Sequence, residues 1–163
     1  MKQQQSRKHE NTIMPAERLT PYEHAALGTL ATAVDCRLVR LYRSGAGSAS
    51  GLLRGVVLWL SGNRAVALGN HVFLPQGCER DLPVLAHELT HCAQYQSWGA
   101  VTYFMKGAAA QARELLHRKF RLGSSPYAYT LDPGKPFSAY GMEQQAQIVE
   151  DRFRAANHAV PSA

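Results

Sequence analysis

The sequence predicts one α+β domain in which a small antiparallel β-meander packs against a central helix, with further helices after it. Three observations carry this. Short apolar runs punctuated by Gly and Asn occupy residues 36–74, and from Asp81 onward the apolar residues fall at helical spacing. The composition, 45% hydrophobic and 18% charged over 163 residues, is that of one globular domain.

Residues 1–19 are polar, rich in Gln, Lys and Arg and without hydrophobic periodicity, so a flexible tail is expected there and a single domain over 20–158. Thr20-Pro21-Tyr22-Glu23 has the form of a capping box with Pro in the first turn. Leu27, Leu30, Ala31 and Val34 then continue a helix over about 21–34. Cys36–Tyr42 reads as a strand, followed by the loop Ser44-Gly45-Ala46-Gly47-Ser48. Val56–Leu60 and Ala65–Leu68, separated by Ser61-Gly62-Asn63-Arg64, read as a hairpin, and Gly69-Asn70 turns into His71–Leu74. Asp81 caps the next helix, with Pro83 in its first turn and Leu82, Leu85, Leu89 and Cys92 on one face. That helix should stop near Ser97-Trp98-Gly99, and a second should follow over about 101–121. Gly123–Tyr140 reads as a long loop with room for one hairpin, and a last helix runs from about Gly141 to Ala156.

Eighteen Lys and Arg against twelve Asp and Glu give a net charge of +6. Such a charge favours anionic surroundings, but the cationic face Lys106, Arg113, His117, Arg121 reads better as a solvated surface than as a nucleic-acid site. Three cysteines without CxxC spacing argue against a disulfide framework and against an all-cysteine zinc site, leaving free thiols or one Cys36–Cys78 bridge. No run is long enough for a transmembrane helix, and no apolar stretch follows the first residues as a signal-peptide core would.

The chemistry sits in His87-Glu88-Leu89-Thr90-His91, an HExxH inside the helix that opens at Asp81. Four helical residues turn through about 400°, so both imidazoles leave the helix on nearly one line and can reach one Zn²⁺. Glu88 is placed to exchange a proton with an attacking water rather than to ligate. Val84, Leu85 and Ala86 make the surroundings apolar, and a buried imidazole pair beside a carboxylate needs a partner, which a metal supplies.

A third protein ligand is required. The metzincin spacing would need Gly at 94 and His at 97, where the chain has Gln94 and Ser97. The downstream candidates are Glu114, His117, Asp132, Glu143, Glu150 and Asp151. With Met142 as origin, Glu143 falls about 100° and Glu150 about 80° round the last helix, both beside its apolar stripe, whereas Asp151 at about 180° points away as a solvated charge. Glu143 and Glu150 are about 10 Å apart along the axis, too far for one ion to take both. Glu143, at the start of that helix, is preferred. Glu150 is then an outer acceptor, an arginine's partner, or surface.

His87–His91 together with Glu143-Gln144-Gln145-Ala146 resembles a zincin metallopeptidase of the gluzincin type. Leu85–His91, Gln94-Tyr95-Gln96 and Tyr140–Ala146, with Leu19-Thr20-Pro21 and Ala67–Phe73 upstream, are similar to metallopeptidase domains linked to type VI secretion spikes, Rhs-type proteins and other contractile injection systems. The likeness spans roughly residues 19–155. It implies a zincin-like fold, Zn²⁺ as cofactor, metal ligands His87, His91 and Glu143, and Glu88 as the catalytic acid–base. The implied substrate is a peptide or protein, peptidoglycan peptides included, and the implied partners are a secretion spike or an immunity protein. A monomer is expected, residing in the producer's cytoplasm or exported by contractile injection, with use as an antibacterial toxin effector. Where thermolysin-like gluzincins carry an Asp four residues after the ligand Glu, this chain has Gln147, which keeps open a catalytically weak zincin module of the apparatus. Among Tyr127, Tyr129 and Tyr140, Tyr140 is preferred as the oxyanion donor. The edge for an added substrate strand would be 65–68 or 71–74.

Overall fold

The computed structural model describes residues 16–43 and 48–158. Among the described residues, four helices and three short strands follow in the order α1 (Pro21–Ala33), β1 (Arg40–Tyr42), α2 (Ser48–Leu60), β2 (Val66–Leu68), β3 (His71–Phe73), α3 (Leu82–Phe120) and α4 (Met142–His158), with one 3-10 turn at Phe137–Ala139. The domain is α+β, as the sequence predicts.

The predicted helix starts are present. Thr20 accepts from the Glu23 N–H at 3.2 Å while the Glu23 carboxylate accepts from the Thr20 N–H at 2.9 Å, which closes the capping box. Asp81 accepts from the Val84 N–H at 3.1 Å. Gly99 interrupts α3 with φ 76° and ψ 164°, outside the helical region, so the expected break falls inside an otherwise continuous helix.

The sheet departs from the predicted meander. Its order is β1-β3-β2, with β1 parallel to β3 and β2 antiparallel to β3. The cause is Val56–Leu60, which forms the end of α2 and not a strand. Along α2 and its cap Leu58 is buried, with Gly51, Arg54, Val57 and Ser61 partly so, an inward row at helical spacing. An unbroken apolar run hides that period. Ser61–Arg64 is therefore no hairpin turn. The Gly62 N–H donates to Trp59 O and the Asn63 N–H to Leu58 O, a Schellman cap with Gly62 at φ 69°. The strand read over Cys36–Tyr42 is shorter than expected, because residues 36–38 form a turn. No hairpin forms in the loop before α4.

Residues 16–19 are not a free tail. Glu17 bridges Leu41, its carboxylate meets Arg43 at 3.0 Å, and Leu19 packs on the core. Residues 1–15 of the predicted tail and 44–47 of the predicted loop lie outside the described residues. Cys78 and Cys92 are free thiols, so the Cys36–Cys78 bridge does not form.

Leu27, Leu41, Val72, Leu74, Leu85, Leu89 and Cys92 form the dry core between α1, the sheet and the first half of α3. Gly69 opens the two-residue β2–β3 turn at φ +65°, and a Cβ there would stand 3.2 Å from the Tyr95 ring. Tyr103 donates to the Ala67 carbonyl at 2.8 Å, tying α3 to β2. The most extensive helix packing is α3 on α4, and it brings the candidate site together.

Candidate metal centre

Burial of α3 between the sheet and α4 removes residues 85–92 from solvent almost completely. His87 and His91 stand one turn apart on the side facing α4, ring centroids 5.0 Å from each other. Glu143, in the first turn of α4, places Oε2 at 3.3 Å from His91 Nε2 and 3.7 Å from His87 Nε2. One ligand atom from each of His87, His91 and Glu143 lies within 4.8 Å of the others, a span one ion can bridge.

The other ring nitrogens are held from behind. Glu150 Oε2 lies 2.9 Å from His87 Nδ1, off the line of an ideal hydrogen bond, and its Oε1 accepts from Arg154. Two of the roles open to Glu150 in the sequence are thus combined. His91 Nδ1 meets Gln94 Oε1 at 2.9 Å. The orientation of that amide is dictated by its surroundings: Gln94 Nε2 donates to the Met142 carbonyl at 3.0 Å and to Gln145 Oε1 at 3.1 Å. Gln145 in turn donates to the Tyr140 carbonyl. A carbonyl only accepts, so Gln94 must turn its oxygen to His91, whose Nδ1 donates to it, and Nε2 is the ring nitrogen that faces Glu143.

Burial opposes a charge on His87, but the facing carboxylates of Glu143 and Glu150 outweigh it and raise the imidazole to about 10. Burial likewise opposes ionisation of Glu143 and Glu150. His87 and His91 nevertheless hold Glu143 well below the carboxylate range, and His87 with Arg154 lowers Glu150. Glu88 differs. Burial raises its carboxyl, and the neighbouring histidines offset this only in part. Glu88 Oε2 is buried without a hydrogen-bond partner, a cost the fold accepts at this one carboxylate of the site. Two neutral-capable imidazoles, one carboxylate and an unpartnered acid beside them fit a divalent ion with a reacting water.

The cluster opens into a cleft of about 870 Å³ bordered by Leu60 of α2, Leu68 of the outer strand β2, Phe104 of α3 and Tyr127. Tyr140 is corrected by the structure: its hydroxyl donates to the Thr130 carbonyl at 3.3 Å and accepts from the Asp132 N–H at 2.9 Å, so it secures the loop and does not line the cleft. Tyr127 does line it, with its ring 6.5 Å from that of His87, and burial raises its hydroxyl to about 12. Tyr129 donates to Asp151 at 2.6 Å, so Asp151 is a bonded partner and not a solvated charge. Glu114 lines the cleft wall and accepts from Ser125, outside the cluster. His117 contacts the Gly123 carbonyl, Asp132 accepts from the Gly134 N–H, and His71 pairs with the Tyr42 hydroxyl, all away from the site. Gln94 is the side chain beside the cluster that motif reading passes over; its place three residues after His91, on the same helix face, is the signal that could have found it.

Residues 61–99 match the family model of the eCIS core domain. The matched stretch runs from the end of α2 to Gly99 and contains His87, Glu88 and His91 but not Glu143. A 71-residue stretch is 44% identical to the type VI secretion system spike protein VgrG2b of Pseudomonas aeruginosa, covering 44% of this chain and 6% of that protein. The chain thus corresponds to a small part of that relative's length. No solved structure matches. The two similarities link the chain to contractile injection systems.

Proposed function

We propose that the chain is a zinc-dependent peptidase of zincin type, carried as an effector by a contractile injection system. The observation that supports this most directly is the convergence of His87, His91 and Glu143 within 4.8 Å beside the unpartnered, buried Glu88. Zn²⁺ bound there would supply Lewis acidity, polarising a carbonyl and acidifying a water. Glu88 holds the attacking water, takes its proton as the oxygen bonds to the peptide carbonyl carbon, and passes that proton to the nitrogen as the C–N bond breaks. Glu150 and Gln94 keep the two imidazoles turned with Nε2 toward Glu143. Tyr127, protonated at neutral pH, donates to the tetrahedral oxyanion. A peptide extends along the cleft beside β2, and peptidoglycan peptides are within the proposed substrate class.

The second reading, a zincin-like module of the apparatus held by zinc without turnover, draws on the family match described as a core domain. Metal analysis before and after chelation, followed by hydrolysis of a peptide library and of purified cell-wall fragments, separates the two. The peptidase reading requires one zinc per chain and turnover that Glu88→Gln removes while the zinc stays. Bound zinc with no turnover on any substrate selects the module.

A further inference from the structure

Beyond Gly99 the second half of α3 carries a pattern that the metal centre does not use. Tyr103 and Ala110 are buried on its inner side. With about 100° per residue, Val101, Met105, Ala112, Leu115 and Leu116 share an arc of about 100° on the opposite side. The large members of that arc are exposed, from 45% at Leu116 to 75% at Val101, and Phe120 and Leu122 extend the apolar surface at 63% and 62%. An apolar stripe this long, left in water on a helix already packed on its other face, marks a contact surface. Cations border it. Arg113 and Arg118 fall on its two sides, Lys119 and Arg121 lie at its end, and Lys106 stands over the Trp98 ring at 4.1 Å.

Between residues 101 and 122 five cations face one acid, a net +4 out of the chain's +6. That acid, Glu114, is turned to the cleft wall and accepts from Ser125. The exposed side therefore offers hydrocarbon flanked by positive charge and no negative charge. Nucleic acid would meet the cations but leave Val101, Met105, Leu115 and Leu116 wet. A second copy would bring two cationic borders together with no exposed acid to neutralise them. An anionic phospholipid surface satisfies both features, with the acyl boundary taking the apolar arc and the headgroups taking the arginines and lysines.

We infer that the Val101–Leu122 face of α3 docks the protein in the plane of an anionic lipid bilayer. The helix lies on the surface and does not cross it; among the described residues no helix is long and apolar enough to span a membrane. The docking is independent of the peptidase reading, because it uses no residue of the metal cluster.

The test is co-sedimentation of the full chain with phosphatidylcholine vesicles and with mixed phosphatidylcholine–phosphatidylglycerol vesicles. Binding to the mixed vesicles should be at least ~10-fold tighter than to the neutral ones and should weaken as salt rises. Met105→Glu with Leu116→Glu should abolish it, and Arg113→Glu with Lys119→Glu should weaken it ~10-fold or more, with far-ultraviolet dichroism unchanged because all four positions are exposed. Chelated and zinc-supplemented protein should bind alike, which keeps this outcome separate from that of the peptidase test. Absence of binding to anionic vesicles, equal binding to neutral ones, or retention by the charge-reversed variant would overturn the inference. So would a dimer that Leu116→Glu dissolves, or DNA binding without vesicle binding.

Discussion

Gln94 Oε1 lies 2.9 Å from His91 Nδ1, and the amide that makes this contact is locked by the Met142 carbonyl on the other helix. One side chain thus holds the His91 ring on α3 while fastening α3 to the helix that brings Glu143. Replacing it by Ala removes both. Gln94→Ala should weaken zinc binding by ~10–100-fold, measured by competition with a chromophoric chelator. Gln94→Glu keeps an acceptor for His91 and should lose less.

Metal uptake should release protons. Without an ion, Glu143 and Glu150 hold His87 protonated up to about 10, and zinc takes the neutral imidazole. Apparent affinity should therefore climb by close to ~10-fold per pH unit from neutrality toward that value. Calorimetry at neutral pH in buffers of different ionisation enthalpy should find about one proton released by His87 per zinc bound.

The metal-free protein should have its own stability window. His87, raised by its carboxylate neighbours, contributes stability that is full below its ordinary 6.5 and fades as pH climbs through about 10. Glu143, lowered by the histidines, contributes stability that is full above its ordinary 4.5 and is lost as pH falls through about 2. The chelated protein should thus melt highest between those two ordinary values. A Tm rising steadily from pH 6 to pH 9 under chelation would contradict the arrangement.

Glu88 should trade stability for turnover. Glu88→Gln removes a buried carboxyl whose ionisation the surroundings resist, so Tm should rise while peptide hydrolysis falls by at least ~100-fold. The two tyrosines should separate in the same assays. Tyr127→Phe should lower kcat by ~100-fold with little change in Tm. Tyr140→Phe should cost about 1 kcal/mol of stability through its lost contacts to Thr130 and Asp132 and leave turnover intact.

Gly69→Ala should destabilise the domain by about 1–3 kcal/mol, because the position needs φ +65° and the added methyl meets the Tyr95 ring. Denaturant melts of the two proteins would measure it. No effect would mean that the β2–β3 turn can relax without disturbing α3.

Local chemistry made part of this structure readable in advance. The Thr20–Glu23 capping box, the Asp81 cap and the Gly99 break are written in neighbouring residues, and the helix phases of Glu143 and Glu150 follow from position alone. Val56–Leu60 misled because an all-apolar run carries no period, and the error propagated. With that segment helical, β1 reaches β3 by a crossover and pairs in parallel. The tyrosines were illegible for another reason. Whether Tyr127 or Tyr140 reaches the cleft depends on how an irregular loop folds back, which no spacing encodes. Gln94 stood in plain view on the right face, but an amide has meaning there only once the Met142 carbonyl is opposite it.

The division of the donor set between two helices has a consequence for when this protein becomes competent. Through all the synthesis or refolding that precedes docking of Met142–His158, the chain owns a pair of imidazoles and no carboxylate to complete their grip. On the peptidase reading, turnover therefore waits until Met142–His158 has packed against α3.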